Sequence, residues 1–195
     1  MKVNKKTVIF STVINIGYAV ANLFIGISDA SYWFLMTAAY YTLLSLMRLL
    51  AVSTEKPKWE TIITRAIGVM LVLSVFPLLG TVIISSFQKV GTKFHEIVMI
   101  SIALYSFIKV SLAIVNIARA RRFDSCTLKT LRSVSFADAL VSILSLQRSM
   151  LISFGEMLEA DVRIFNIVTG IAVCIFVFLI GIQLVVIKQK NRPTT

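Results

Sequence analysis

Apolar residues run along this 195-residue chain in six blocks, at roughly 8–27, 32–52, 61–86, 94–118, 128–153 and 164–187, separated by short polar punctuation. Each block is long enough for an α-helix to cross the hydrocarbon of a bilayer, which takes about 20 residues. The polar residues inside the blocks are not scattered. In the fifth, Arg132, Ser135, Asp138, Ser142, Ser145 and Ser149 recur at steps of three or four and share one helix face. The first block repeats the pattern with Ser11, Asn15, Tyr18 and Asn22, the second with Thr37, Tyr41, Ser45 and Arg48, and the fourth with Ser106, Lys109 and Asn116. The third and sixth are mainly apolar, and Pro77 with Gly80 predicts a kink in the third. The expectation is an all-α polytopic membrane protein, a single six-helix transmembrane domain over 1–190. A short cytoplasmic tail at 191–195 follows, with no soluble domain. Four helices look lined and two look like packing. Such stripes either face a path or let neighbouring helices approach closely and hydrogen-bond.

Composition agrees: a mean hydropathy of +0.88, with 57% hydrophobic and 15% charged residues, leaves too much apolar surface for one soluble core. The start MKVNKK followed by an apolar run resembles a secretory signal, but the run is too long and no A-x-A-like site follows. It is read as a retained helix. The net charge of +11 does not indicate nucleic acid, because its placement follows orientation. With the N-terminus inside, cytoplasmic flanks hold Lys2, Lys5, Lys6, Arg48, Lys56, Lys58, Arg65, Arg119, Arg121, Arg122, Lys129, Arg132, Lys188, Lys190 and Arg192, 15 of the 20 basic residues. Outside flanks hold Lys89, Lys93, Arg148 and Arg163, together with the acids Asp29, Glu96, Glu156, Glu159 and Asp161. This bias places both termini in the cytoplasm. The cell membrane is the expected location, and the basic loops meet anionic lipid heads.

Cysteine and histidine exclude more than they suggest. Cys126 falls in a cytoplasmic loop and Cys174 mid-helix, so no disulfide is expected, and a single His leaves no Cys/His metal site. No nucleophile elbow, HExxH, paired-carboxylate or glycine-rich phosphate motif occurs, so neither catalytic residues nor a cofactor are assigned and the chain is not read as an enzyme.

Two charges fall mid-membrane, where each costs ~2.5–3.5 kcal/mol even on lenient insertion scales. Asp138 lies about ten residues, ~15 Å, into the fifth helix, and Lys109 about nine residues, ~14 Å, from the cytoplasmic end of the fourth. They share a level. A mutually neutralising pair accounts for both; a protonatable carboxylate facing a wet cavity is the competing account.

These residues resemble the transmembrane domain of the cation diffusion facilitators, six-helix antiporters that exchange Zn²⁺ or similar ions for protons. The likeness extends from VINIGYAVANLFIGISDAS through KWETI to SCTLKTLRSVSFADALVS. The family's path is built from helices one, two, four and five, the four that carry stripes here. Its metal site uses two ligands four residues apart on helix two and an H-x-x-x-D pair on helix five. Carried over, these positions fall on Tyr40, Leu44, Val134 and Asp138. Only Asp138 keeps the family's ligand, since valine and leucine bind no metal and a phenol is a poor zinc ligand.

The resemblance implies Asp138 and Lys109 as transport or ion-pair residues. Asn15, Asn22, Tyr40, Tyr41, Ser135, Ser142 and Ser145 are candidates for the path lining. Lys109 then supplies permanently the positive charge that a metal supplies in transit. Lys58-Trp59-Glu60 resembles the family's basic-x-Glu loop, though an interfacial Trp with flanking charges explains it equally. His95-Glu96 and the acids at 156–161 are read as solvated groups at the outer mouth.

Two functions follow. One is proton exchange against a small cation through an altered site. The other is a non-transporting scaffold or partner-binding protein derived from a transporter fold. The partners expected are the bilayer, a small cation or proton, and a second copy of the chain as a homodimer.

The topology is directly testable. A cysteine introduced at position 158 should react with an impermeant reagent from outside, and one at position 123 only after permeabilisation. The opposite pattern would invert the orientation.

Overall fold

The structure of the chain is a computed structural model, and it describes residues 5–28, 30–53, 57–87, 126–154 and 159–186, with the single positions 100, 104, 107, 110 and 111. Five helices are described end to end: α1 (Lys5–Ser28), α2 (Tyr32–Ser53), α3 (Pro57–Phe87), α4 (Cys126–Phe154) and α5 (Glu159–Val186). No strand occurs among the described residues. The fold is all-helical, and α4 and α5 occupy the fifth and sixth sequence blocks. The fourth block, 94–118, lies outside the described residues apart from those single positions, which are helical.

Helix α3 begins four residues earlier than the apolar block, at Pro57, which suits the first turn because its missing N–H has no intrahelical partner there. Helix α5 begins five residues earlier, with Asp161 in its first turn at the positive end of the helix dipole. Pro77 does not break α3, which runs through it as one helix of 31 residues.

Between α1 and α2 the chain reverses in a tight cap. Ser31 N–H donates to the Gly26 carbonyl at 3.0 Å and Ala30 N–H to that of Ile27 at 3.5 Å. This is the paired bonding that closes a helix through a left-handed residue. Here that residue is Ala30, at φ 48°, where glycine is usual.

Among the described residues, three helices are long and apolar enough to cross a membrane: α2, α3 over Trp59–Ser86, and α5 over Ala160–Val186. Burial is organised to match. Phe24 and Phe76 stand 73% and 70% exposed, while Asn15, Thr37, Ser45, Thr64, Asp138 and Asn166 are buried. A soluble domain does not expose so much contiguous apolar surface; a lipid-facing one does, with its polar groups turned inward. The protein is an integral membrane protein.

Helices α1, α2 and α3 alternate in direction, and α5 runs antiparallel to α3. Gly26 of α1 abuts Leu35 of α2, Gly80 of α3 abuts Met36 of α2, and Gly68 and Gly170 bring opposite ends of α3 and α5 together. The start of α1, the ends of α2 and α5, and the start of α3 therefore share one end of the bundle. Helix α4 runs parallel to α3, since Thr64 meets Thr130 and Glu60 meets Thr127. The core gathers Tyr40, Leu44 and Met47 of α2 with Ile67 and Leu71 of α3, Val134 and Val141 of α4, and Val177 of α5.

The tightest seam is α3 against α5. A Cβ on Gly68 would stand 2.8 Å from the Gly181 carbonyl oxygen, and one on Gly170 would overlap the Val82 side chain. Small residues let helix backbones approach in this way in a membrane, where dispersion rather than water drives association. Gly68→Val and Gly170→Val should each cost about 1–3 kcal/mol through overpacking, read as a loss of thermal stability in detergent. Gly17→Ala, with nothing within 4 Å of the new methyl, should be neutral; equal losses at all three positions would refute the seam.

Candidate functional site: a buried charge pair

Asp138 sits on α4 twelve residues after Cys126, on the face that meets α2. Its partner among the described residues is Arg48: Nη2 lies 2.8 Å from Oδ2, and the side chains are 4% and 1% exposed. Asn15 of α1 adds a long contact, Nδ2 to Oδ2 at 3.5 Å. Three helices thus converge on one carboxylate.

Helix geometry explains the meeting. Arg48 lies five residues before the end of α2, ~8 Å along the axis, where the sequence counts it among cytoplasmic flanks. Side chains lean toward the N-terminus of their own helix. On antiparallel α2 and α4 that lean carries the guanidinium inward and the carboxylate outward, so the two close the axial gap from both sides.

Lys109, the partner expected from the sequence, lies outside the described residues. The remaining candidates divide. Asn15 reaches the carboxylate, whereas the Asn22 amide donates to the Tyr18 carbonyl at 2.7 Å. Tyr40 and Tyr41 are buried beside the pair, their rings edge to face at 5.4 Å, and Tyr41 meets Tyr18 at 4.7 Å. Ser142 is buried and donates to the Asp138 backbone carbonyl at 2.8 Å; Ser135 and Ser145 are half-buried.

Thr37 and Ser45 likewise donate to carbonyls one turn back, at 2.9 and 2.8 Å. Much of the hydroxyl stripe therefore satisfies itself within its own helix. The four positions carried over from the family, Tyr40, Leu44, Val134 and Asp138, are all fully buried. Among the described residues no group of three or more His, Cys, Asp or Glu is placed to hold a metal.

Two features near the common end of the bundle were not assigned roles from the sequence. Glu60 Oε1 accepts from the backbone N–H of Thr127 at 2.7 Å and from its hydroxyl at 2.8 Å, so a carboxylate from α3 caps the start of α4. One turn further in, the Thr64 and Thr130 hydroxyls meet at 3.0 Å. The KWE element supplied the only signal for the first. Nothing in the sequence pairs the two threonines.

The site defines a class: an all-helical integral membrane protein with an ion pair at its interior. Beyond that class no likeness was found, since the chain matches no family model, no curated protein and no solved structure.

Breaking a buried pair by removing one partner leaves an uncompensated charge, a loss of ~3–5 kcal/mol. Asp138→Asn and Arg48→Met should each lower detergent thermal stability, and the double variant should recover much of the loss. Strictly additive losses would mean that the two side chains are not coupled.

Proposed function

We propose that this protein is a transporter-derived membrane protein of the cation-efflux type, with six spans in the cell membrane and both termini in the cytoplasm, in which an internal cation has taken the place of the transported one. The Arg48–Asp138 contact carries the reading. Where the family places a divalent ion between helices two and five, this chain sets a guanidinium from α2 against the carboxylate of α4 at 2.8 Å. A covalently tethered charge cannot leave. It neutralises Asp138, joins two helices at the position of the path and closes it, so the protein acts through membrane contacts with partners, a second copy of the chain included, rather than by moving metal.

The rival reading, proton exchange against a small cation, draws support from Asn15. Its amide on Asp138 Oδ2 gives the carboxylate a neutral partner to keep if Arg48 swings away. The two readings differ in what they transport.

Reconstituted in liposomes under a pH gradient, the parent should show no Asp138-dependent flux of zinc, manganese, sodium or potassium ions. Calorimetry should show no stoichiometric zinc site of micromolar affinity. Flux abolished by Asp138→Asn but retained by Asp138→Glu would overturn the closed reading in favour of the exchanger.

A further inference from the structure

A second polar site adjoins the charge pair through Tyr40 and lies among α2, α3, α4 and α5, toward the end of the bundle opposite the start of α1. It is a cavity of about 20 Å³, enough for one water-sized species and little more. Its apolar walls include Leu78, Val82 and Val141. No acidic residue is among the described ones that line it.

Two lining residues carry buried polar atoms that lack a hydrogen-bond partner among the described residues: Oη of Tyr40, fully buried on α2, and Oδ1 of Asn166, 6% exposed on α5. An unsatisfied buried group is costly, and native structures usually satisfy it with protein or bound water.

Three of the hydroxyls around them do not donate the missing bond. Thr37 donates its proton to the Trp33 carbonyl at 2.9 Å, Thr81 to that of Leu78 at 2.7 Å and Ser85 to that of Val82 at 2.9 Å. A hydroxyl has one proton, so these three oxygens have only lone pairs left to offer. Asn166 Oδ1 is likewise an acceptor. The lining thus offers acceptor lone pairs at Thr37, Thr81 and Ser85 beside the unpartnered Asn166 Oδ1.

We propose that this cavity is a binding site for a single water molecule, held between Tyr40 and Asn166. The occupant donates to Asn166 Oδ1 and engages the phenol, whose hydroxyl can give or take. It also links two helices that do not pack on one another directly: α2 and α5 are each held by α3 and α4 and share no close backbone contact. The proposal uses neither Arg48 nor Asp138, so it stands or falls independently of the closed-path reading.

The test uses the full chain in detergent and compares Tyr40→Phe, which deletes one oxygen, Asn166→Leu, which is close to isosteric, and the double variant. A shared occupant predicts that each single change lowers Tm by several degrees and that the double change costs little more than one of them. A dry cavity predicts the reverse sign, because deleting an unpaired buried polar group relieves its desolvation; a raised Tm in both singles, or strictly additive losses, overturns the site. A high-resolution structure gives an independent check: a solvent-sized peak within hydrogen-bond distance of Asn166 Oδ1 is expected, and an empty cavity refutes it.

Discussion

A carboxylate removed from water must be matched by a positive charge or a proton, and in this bundle the match is made by Arg48. The requirement reaches well beyond the pair. It fixes how α2 and α4 rotate about their axes, since Arg48 and Asp138 must face one another, and with them Tyr40, Leu44, Val134 and Val141 turn into the same core. It also draws α1 in through Asn15. Buried pairs of this kind add little net stability over an apolar equivalent, because both ions pay a desolvation cost. What the pair provides is register: no rotation or slide of α2 against α4 by a turn keeps the charges together.

The bundle has two differently built halves. The α3–α5 seam is made by glycines at 68, 170 and 181, which let backbones touch. The region around α2 and α4 is made by an ion pair, hydroxyls and tyrosines. The first kind of contact depends on shape alone and tolerates no added atom. The second depends on matched polarity, and each of its groups is costly when left alone in a medium that offers no water.

The helices were legible in the sequence because apolar length and three-four spacing are local properties. The largest boundary shifts lengthen helices at their N-termini, where α3 starts at Pro57 and α5 at Glu159, while α1 and α4 start two or three residues before their blocks. Asp138 was also legible, since a lone carboxylate among apolar residues declares itself. Its contact with Arg48 was not. Arg48 stands within a turn and a half of the end of α2, where basic residues usually meet lipid head groups, and only the lean of side chains on antiparallel helices shows that it turns inward. The Glu60 cap and the Thr64–Thr130 contact join residues more than sixty positions apart, and Asn166 resembles any interfacial polar residue until the cavity behind it is seen. Such pairings belong to helix packing, which no local pattern encodes.

The ninety-position separation of Arg48 and Asp138 has a consequence for biogenesis. When α2 enters the bilayer, its countercharge has not yet been synthesised. An arginine at the centre of a helix would then be stranded in hydrocarbon, but one near the end can extend its flexible stem back to the aqueous boundary and wait there. Arg48 is placed for both duties, solvated during insertion and swung inward once α4 arrives. Assembly of this bundle is therefore divided in time: α2 is made long before its countercharge, and the later arrival of the Asp138 carboxylate on α4 joins the two helices.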